Sequence, residues 1–429
     1  MPLPAALRAF HSRNYRLFVV GQLVSLIGTW MQSVAQAWLI YRLTGSAALL
    51  GLIGFAGQIP IFILASFGGV VADRMNRHRV LLATQTVMML LALALAALTL
   101  SGAVRVWHIF ILASLLGIAN AFDIPARQAF LVEMVEKGDI LNAIALSSSM
   151  MNGARIVGPA VAGIVVAAVG EGWCFLLNAL SYIAVVIALL LMRIAPRADV
   201  HPRVSTWHSL VEGFSFSWHT RPVRVLLLLL TLVSVMGMPY TVLMPIIADR
   251  TLHGGPDAYG LLMSASGTGA LAGAAILTLR RHIRGLGRWI AVTSIGFGAS
   301  LIAFSFSRLL WLSAALLIPA GFCMMVEMAA SNTLIQSMVP DRLRGRVMAV
   351  YSMMFMGMAP VGALLAGAIA AHIGAPETVA IGGVVCIAGG LMFGAQLRSL
   401  QGGARELIVA QQVSAGLPAD DAAPVGEEA

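Results

Sequence analysis

The sequence predicts an all-α membrane protein with twelve transmembrane helices in two pseudo-symmetric six-helix bundles. Of its 429 residues, 59% are hydrophobic and only 10% are charged, and the mean hydropathy is +0.90. A soluble domain carries about 25% charged residues, so most of this chain must lie in lipid. The apolar runs are continuous and do not alternate with polar residues, which favours helices over a membrane barrel.

A helix that crosses a bilayer needs about 20 mainly apolar residues, and twelve such runs follow one another along the chain. We number them spans 1 to 12 in chain order. They are predicted at residues 16–42, 46–71, 79–101, 106–132, 141–169, 173–193, 223–248, 258–279, 288–306, 309–338, 346–372 and 376–397.

A polar stretch rich in Pro and Arg interrupts the apolar pattern near the middle of the chain. Its position predicts an N-terminal bundle, a cytoplasmic linker, a C-terminal bundle and a disordered cytoplasmic tail, at residues 1–193, 194–222, 223–398 and 399–429. Within the linker, the stretch from Trp207 to Trp218 predicts a short amphipathic helix on the membrane surface. The low apolar content and the acidic end of the last segment favour disorder.

The two halves are weak copies of each other at a shift of 204 residues. The matching pairs are Gly69 with Gly273, Asp123 with Glu327, Val135 with Val339 and Ala145 with Ala349, and Pro159 pairs with Pro360 after a three-residue slip. The acidic pair is the most informative match, because acids inside spans are scarce. An even number of spans in each half makes the repeat parallel in the membrane, as in two-bundle transporters.

The chain carries a formal net charge of +9, and the distribution of its basic residues predicts the orientation in the membrane. Most Lys and Arg fall at the N-terminus, in the even-numbered turns or after span 12, whereas Arg42, Arg105, Arg250 and Arg308 fall on the opposite side. Under the positive-inside rule, this bias predicts a multi-pass protein of the bacterial inner membrane with both termini in the cytoplasm. The expected partners of the basic turns are anionic membrane lipids and not nucleic acid.

No motif in the sequence predicts an enzyme, a cofactor or a metal site. Cys174, Cys323 and Cys386 are isolated and lack metal-binding or redox spacing. We find no phosphate-binding loop, zinc motif or nucleophile elbow. The short hydrophilic turns leave no room for a soluble catalytic domain, so ATP is not the expected energy source within this chain.

The turn between spans 2 and 3 resembles the loop signature of the major facilitator superfamily, Gly-x-Leu-Ala-Asp-Arg-x-Gly-Arg-Lys-x-x-Leu. The matching residues are Gly69, Ala72, Asp73, Arg74, Arg77 and Leu81. The resemblance implies a cytoplasmic gate formed by Gly69, Asp73, Arg74 and Arg77, in which Asp73 caps a helix of the second half. The alternative is a solvated loop that only sets the orientation of the chain.

Span 5 contains a run of small residues around Gly158 and Pro159 that is similar to the Gly-Pro signature of antiporters in this superfamily. Small residues permit close packing of helices, and Pro159 leaves a point at which the helix can kink. The resemblance favours export by exchange over uptake. Ordinary packing of small residues is the alternative.

Span 1 carries a stripe of polar side chains. Gln22, Ser25, Thr29, Gln32 and Gln36 recur at spacings of 3 and 4 residues, so they lie along one helical face. A polar stripe in lipid is costly unless it faces protein or water. We interpret the set as one wall of a central substrate cavity. For any single residue, hydrogen bonding to a neighbouring helix is an equally good interpretation.

Asp123 and Glu327 are the two acids that the predicted spans bury deeply. An unpaired charge at the bilayer centre costs about 2.5–3.5 kcal/mol on insertion scales. Arg127 follows Asp123 by one turn and is close enough to pair with it, whereas Ser331 stands one turn after Glu327. A carboxyl group buried without a cation favours its protonated form.

These two environments predict different roles for the two acids. We predict that Glu327 binds the transported proton. The Asp123–Arg127 pair is expected to gate or couple transport, and Arg155 is expected to pair with either acid across the bundle. A structural ion-pair network without a transport role is the alternative.

Further segments resemble the enterobactin-exporter-like branch of the major facilitator superfamily. They are Asn14–Phe18, Gly28–Gln32, Leu43–Ser46, Arg155–Pro159 and Arg344–Val347, and the resemblance covers about residues 8–398. It implies a secondary active transporter, not an enzyme, that exports a small siderophore- or drug-like molecule by proton antiport with alternating access. Its implied partners are that small molecule and protons. Many members of the superfamily work as monomers, which makes a monomer plausible, but the sequence leaves the oligomeric state open. The alternatives are a proton-coupled uptake symporter and a non-transporting membrane sensor or scaffold.

Overall fold

The computed structural model of the protein describes residues 5–192, 206–279 and 285–414. Within them, 12 helices are long and apolar enough to cross a membrane. Spans 1 to 12 occupy Arg13–Thr44, Ala47–Arg74, Arg77–Leu100, Val106–Glu133, Ile140–Val169, Glu171–Leu191, Arg221–Thr251, Gly255–Leu279, Leu286–Phe306, Leu310–Met338, Asp341–Ile373 and Ala375–Ser414. Each coincides with a predicted span, so the predicted twelve-helix fold class is confirmed.

Polar side chains fix where the first three spans begin. Ser12, Ser46 and Asn76 precede spans 1, 2 and 3, and each side-chain oxygen accepts a hydrogen bond from a backbone N–H of the first turn. Such caps satisfy donors that have no partner inside the helix. Span 1 ends at Gly45, whose φ of 59° lies in the left-handed region that glycine adopts at no steric cost. The two-residue turn into span 2 depends on this conformation.

Two spans are not regular α-helices throughout. Span 7 contains π-helical turns at Val233–Gly237 and Ile247–Thr251. Such turns are rare in proteins, and those that occur often lie at functional sites. Span 11 is interrupted between Phe355 and Ala359, and Pro360 stands in the first turn of its second segment, where a missing N–H is harmless. The geometry of both spans is therefore set locally by turn type and proline position.

Spans 1–6 and spans 7–12 form two bundles with the same internal packing. In the first bundle, span 2 packs on span 4, span 3 on spans 4 and 6, and span 1 on span 6; the corresponding pairs recur in the second bundle. Gly117 of span 4 packs against Gly57 of span 2, and Gly321, its counterpart at the shift of 204 residues, packs against Ser266 of span 8. The sequence repeat therefore corresponds to a repeated helix packing.

The amphipathic helix predicted in the linker is confirmed as Thr206–His219; residues 194–205 of the linker lie outside the described residues. The helix packs on the start of span 11. There Gly213 lies against the carbonyl group of Arg346, and the Arg346 guanidinium pairs with Glu212. Phe214 and Trp218 stack on each other and remain exposed. Contact of this exposed face with the membrane surface stays a prediction.

The prediction of a disordered tail from residue 399 is wrong for its first part, because span 12 continues as a helix to Ser414. Leu400 is buried, and Ala404, Leu407 and Ile408 pack against the hydrophobic core. Their spacing places these residues on one helical face, so an apolar stripe outweighs the polar composition of the segment. Residues 415–429 of the predicted tail lie outside the described residues.

The packing of span 8 on span 10 identifies a glycine that tolerates no side chain. A Cβ atom at position 269 would lie 2.8 Å from the carbonyl carbon of Ile318 and 2.9 Å from the amide nitrogen of Phe322. Because backbone atoms cannot move aside without separating the helices, we expect Gly269→Ala to destabilise the protein by about 1–3 kcal/mol. Thermal unfolding of the purified protein, followed by size-exclusion chromatography, measures this effect.

Gly69→Ala is the matched control, because a Cβ atom at position 69 would meet no atom within 4 Å. Alanine also favours a helix by about 1 kcal/mol relative to glycine. The melting temperature of this variant should stay unchanged or rise. Equal losses of stability in the two variants would contradict the packing argument.

Candidate functional site

The two bundles touch where span 5 packs on span 8 and where span 2 packs on span 11. Gly163 faces Gly260 in the first contact, and Gly51 faces Gly367 in the second. Glycines permit this approach because they carry no side chain. All four residues lie in the half of their spans that leads to the turns at Gly45, Gly170, Gly255 and Gly374. We call this end of the molecule the closed end.

Polar side chains of spans 1 and 7 join the bundles at the closed end. The Tyr41 hydroxyl donates a hydrogen bond to Asp249 Oδ2 at 2.5 Å, and the Arg250 guanidinium donates to the Gly45 carbonyl at 3.0 Å. The same guanidinium lies over the Tyr41 ring, 5.8 Å from its centroid. We call these four residues the closed-end latch.

The closed-end latch was not among the sequence predictions. Its two charged residues stand in the π-helical turn Ile247–Thr251 at the end of span 7. Beside the latch, Trp38 stacks on Tyr259 of span 8 with ring centroids 6.3 Å apart. Asp249 and Arg250, adjacent at the end of an apolar run, are a signal in the sequence for a charged contact. The sequence does not reveal their partner, because Tyr41 of span 1 lies 208 residues from Asp249 in the chain.

Beyond the middle of the spans, the two bundles separate. A hydrogen bond from the Ser264 hydroxyl to the Ile156 carbonyl, 2.9 Å long, joins spans 8 and 5 near their midpoints. Further from the closed end, Ser148 of span 5 and Thr268 of span 8 are exposed. The contacts that join spans 5 and 8 at Gly163, Gly260 and Gly267 also lie at the closed end or near the middle of these spans. From this pattern we infer a gap between the bundles, which we call the vestibule, that opens at the opposite end; we call that end the open end.

The residues predicted as a gate lie at the open end, and Arg77 joins elements of the first bundle. Arg77 pairs with Glu133 Oε1 at 2.7 Å, donates to the Ala72 carbonyl at 3.0 Å and lies 3.4 Å from Asp73 Oδ1. Asp73 is exposed, and among the described residues its side chain caps no helix of the second bundle in this conformation. The separation of the bundles at this end accounts for the difference from the expectation.

Within the gate motif, Gly68 and not Gly69 makes the close helix contact. A Cβ atom at position 68 would lie 2.9 Å from the carbonyl carbon of Ala121 in span 4, whereas one at position 69 would meet nothing within 4 Å. Arg74 is exposed. The gate role of Gly69 and Arg74 stays a prediction.

Two members of the polar stripe on span 1 face span 6. Asn178 Nδ2 donates to Gln32 Oε1 at 2.6 Å, and the Thr29 hydroxyl lies 3.3 Å from the Tyr182 hydroxyl. These contacts lie inside the first bundle and not at the vestibule. They favour the interhelical alternative for Thr29 and Gln32 over a place in the cavity wall.

The other three members of the stripe differ in exposure. Gln22 and Ser25 are buried, and Gln36 is half-buried. Burial of a polar side chain in a membrane protein requires a protein or water partner. A role of these three residues in a substrate cavity stays a prediction.

Asp123 is completely buried in the first bundle and has three hydrogen-bond donors. Its Oδ2 accepts from Arg127 Nη2 at 2.5 Å, which is the pair that the sequence spacing predicts. Its Oδ1 accepts from the Thr84 hydroxyl and from Gln85 Nε2, each at 2.8 Å. The carboxylate therefore holds spans 3 and 4 together.

Glu327, the counterpart of Asp123 in the second bundle, has the opposite environment. The residue is 1% exposed, and neither carboxyl oxygen has a hydrogen-bond partner among the described residues. Ser331, which stands where Arg127 stands in the first bundle, also has no partner there. The carboxyl group therefore faces neither the lipid surface nor the vestibule, and its predicted burial is observed.

Arg155 stands at the middle of span 5, where its guanidinium carbon lies 5.6 Å from the centroid of the Trp30 ring in span 1. Pairing of Arg155 with Asp123 or Glu327 was expected, but among the described residues no carboxylate forms an ion pair with it. The side chain is half-buried. An aromatic ring, and not an acid, is therefore its partner in this conformation.

The Gly-Pro motif holds three spans together beside Arg155. A Cβ atom on Gly158 would lie 2.9 Å from the Ile27 carbonyl oxygen of span 1. The carbonyl oxygen of Pro159 approaches Gly260 of span 8, where a Cβ atom would lie 2.5 Å from it. Span 5 remains helical through Pro159, so the motif acts here by close packing.

Two six-helix bundles with repeated packing, joined at one end and carrying buried acids within the bundles, are the architecture of a multi-pass membrane transporter. The family model described as transmembrane secretion effector matches residues 5–417. The chain therefore belongs to this family of the major facilitator superfamily.

Named relatives in this superfamily align over most of the chain. The staphyloferrin A transporter of Staphylococcus aureus is 26% identical over 383 residues, which cover 88% of this chain and 93% of the relative. The multidrug efflux pump Tap of Mycolicibacterium fortuitum is 26% identical over 365 residues, 82% and 88% of the two chains. Macrolide efflux protein A of Streptococcus pyogenes is 23% identical over 387 residues, 86% and 92% of the two chains.

Solved structures share the fold. The nucleoside transporter NupG superposes with a TM-score of 0.70 at 13% identity, over 90% of this chain and 99% of that one. A bacterial homologue of the lysosomal transporter Spinster, in an inward-facing and unoccupied conformation, superposes with a TM-score of 0.65 at 15% identity, over 94% and 98%. At these identities the likeness is one of fold alone.

The closed-end latch predicts that a single hydroxyl group biases the conformational equilibrium. Tyr41→Phe removes the hydrogen bond to Asp249, and a bond to a charged group contributes about 1.5–3 kcal/mol. We expect the ratio of molecules that are open at the closed end to molecules that are shut there to rise by roughly 10-fold or more. Spin labels at the exposed residues Leu43 and Leu309, one on each bundle, report the distance between the bundles at the closed end by double electron–electron resonance.

Tyr182→Phe is the control for the latch, because it removes a hydroxyl that contacts Thr29 within the first bundle. Its distance distribution should match that of the unmodified protein. An unchanged distribution in Tyr41→Phe would show that the latch does not hold the closed end.

The two buried acids predict effects of different size on stability when each is neutralised. Asp123→Asn leaves Arg127 without its carboxylate, and breaking a buried ion pair costs about 3–5 kcal/mol. Glu327→Gln breaks no hydrogen bond between described residues, so its melting temperature should stay within a few degrees of the unmodified value. Thermal unfolding of both variants under the same conditions tests this contrast, and a larger loss for Glu327→Gln would refute it.

Proposed function

We propose that the protein exports a small siderophore- or drug-like organic molecule across the bacterial inner membrane by proton antiport. Two of the named relatives are efflux proteins, and a third is a transporter of staphyloferrin A. The family description, transmembrane secretion effector, points in the same direction. The Gly-Pro motif of span 5, which resembles that of antiporters, adds support for exchange.

The proposed orientation follows from the positive-inside rule, which assigns the termini and the basic turns to the cytoplasm. The open end then faces the cytoplasm, and the closed-end latch faces the outside. Cargo enters the vestibule from the cytoplasm in this conformation. Release requires the latch to break and the open end to close, which is the alternating-access cycle of two-bundle transporters.

The observation that carries the proton-coupling proposal is the isolation of Glu327. Among the described residues, no cation or hydrogen-bond donor contacts the carboxyl group, and such a group is most stable in its neutral form. Movement of the second bundle during the cycle brings the group to water, where it releases its proton. One proton that crosses about 100 mV supplies about 2.3 kcal/mol, enough for a roughly fifty-fold gradient of cargo.

The remaining charged residues have supporting roles in this proposal. The Asp123–Arg127 pair braces spans 3 and 4 during the movement. Arg155, which contacts Trp30 in this conformation, would join the charge network only in another conformation of the cycle. When the open end closes, Asp73 and its neighbour Arg77 reach the second bundle and form the cytoplasmic gate. The protein works as a monomer in this scheme, with membrane lipids around both bundles.

Glu327→Gln should abolish accumulation of cargo driven by a pH gradient and leave downhill exchange intact, because the variant cannot carry a proton. Comparison of metabolites in the medium with and without the gene identifies the cargo. Its flux is then measured in everted membrane vesicles, whose outer surface is the cytoplasmic face and whose interior is acidified.

Ser331→Ala is the matched control, since it changes another unpartnered buried group one turn from Glu327 without removing a carboxyl group. It should retain gradient-driven accumulation. Retained accumulation in Glu327→Gln would reject this residue as the proton carrier. Flux of the cargo out of everted vesicles of the unmodified protein would favour uptake by symport.

A further inference from the structure

We propose that Arg155 and Trp30 form the binding site for an anionic group of the cargo, and that organic carboxylates are therefore the preferred substrates. The inference rests on the proposed transport function and adds the chemical class of the cargo. Its basis is the location, the partner and the surroundings of a single guanidinium group.

Arg155 is placed where a cargo must pass. It stands near the midpoint of span 5, one residue before Ile156, which contacts span 8, and three residues before Gly158, which contacts span 1. The closed end begins immediately beyond it, so it lies at the blind end of the vestibule. A molecule that enters from the open end reaches this level and no further until the latch breaks.

Among the described residues, the Arg155 guanidinium group forms no hydrogen bond. Its carbon lies over the Trp30 ring, 5.6 Å from the ring centroid, and a contact with a ring face takes up none of the five N–H donors of an arginine in a conventional hydrogen bond. In contrast, the other arginine deep within a span, Arg127, is already bound to Asp123 at 2.5 Å. Among the described residues, no carboxylate pairs with Arg155.

The counterpart of Arg155 in the second bundle carries no charge. The shift of 201 residues that superimposes Pro159 on Pro360 places Met356 at the position of Arg155. Met356 stands where span 11 is interrupted, whereas span 5 is a continuous helix through Arg155. The charge of Arg155 is therefore not a feature that the two halves share, and a costly charge inside a span indicates a functional site.

A polar track leads from the open end to Arg155 along one face of span 5. Ser148, Asn152 and Arg155 follow at spacings of 4 and 3 residues, so they lie on one side of the helix. Ser148 is exposed, and Asn152 is half-buried and donates to the Ser148 carbonyl at 2.9 Å. A planar guanidinium at the end of such a track suits a carboxylate, which it can bind through two parallel hydrogen bonds.

The test compares two dyes that share a ring system and differ in charge. Carboxyfluorescein is an anion and rhodamine 123 is a cation. Binding of each dye to the purified full-length protein in lipid nanodiscs is measured by fluorescence anisotropy, without a pH gradient. We expect the unmodified protein to bind carboxyfluorescein more tightly than rhodamine 123.

Arg155→Gln should weaken carboxyfluorescein binding by roughly 10-fold or more, because a charge-assisted bidentate contact is lost. Rhodamine 123 binding should stay unchanged or improve. Arg155→Lys keeps the charge without the planar fork and should give an intermediate affinity for carboxyfluorescein.

Arg224→Gln is the matched control. Arg224 also lies over a tryptophan, with its guanidinium carbon 5.7 Å from the Trp218 ring centroid, but it stands at the start of span 7. Its replacement removes the same charge and the same kind of contact and should leave both affinities unchanged. Thermal unfolding of each variant separates a loss of binding from a loss of structure.

The proposal is overturned by any of three results. They are unchanged carboxyfluorescein binding in Arg155→Gln, an equal loss of both dyes in that variant, and no saturable carboxyfluorescein binding by the unmodified protein. Because these measurements use no gradient, they are independent of proton coupling. Failure of gradient-driven export would reject the proposed function while the comparison of dye affinities still decides the charge preference of the site.

Discussion

The absence of water in the lipid interior is the constraint on which the rest of this structure depends. A charged side chain there must find a partner, lose its charge or reach a cavity. Asp123 has three donors around its carboxylate. Glu327 has none among the described residues, and Arg155 lies against an aromatic ring beside the vestibule. The same constraint thus gives one structural brace, one candidate proton carrier and one candidate ligand site.

Close approach of helices is the second requirement, because two bundles that exchange contacts need surfaces without bulky side chains. Gly163 and Gly260 meet across spans 5 and 8, and Gly51 and Gly367 meet across spans 2 and 11. These surfaces contribute packing but few hydrogen bonds, so they can separate at modest cost. The closed-end latch of Tyr41 and Asp249 adds directional bonds where the glycine contacts end. The free energy of the latch, compared with that of the contacts that form when the open end closes, therefore sets which of the two conformations is favoured.

The accuracy of the sequence predictions depends on how local each feature is. The Asp123–Arg127 pair is separated by one helical turn, so spacing alone predicts it, and it is present. Thr29 and Gln32 share a helical face as predicted, but which neighbour this face meets depends on the packing of span 6. The helix through Leu400 and Leu407 was missed because its stabilising contacts come from the core and not from its own composition.

The sequence by itself determined the number and order of the spans, the repeat of the two halves and the burial of Glu327, because hydropathy and helical period act over one or a few turns. Only the tertiary structure decided that the bundles are joined at the end with Tyr41 and Asp249 and separated at the end with Asp73. It also decided that Arg155 contacts Trp30 and not an acid. These choices depend on contacts between residues far apart in the chain, in one of several arrangements that the same helices can adopt.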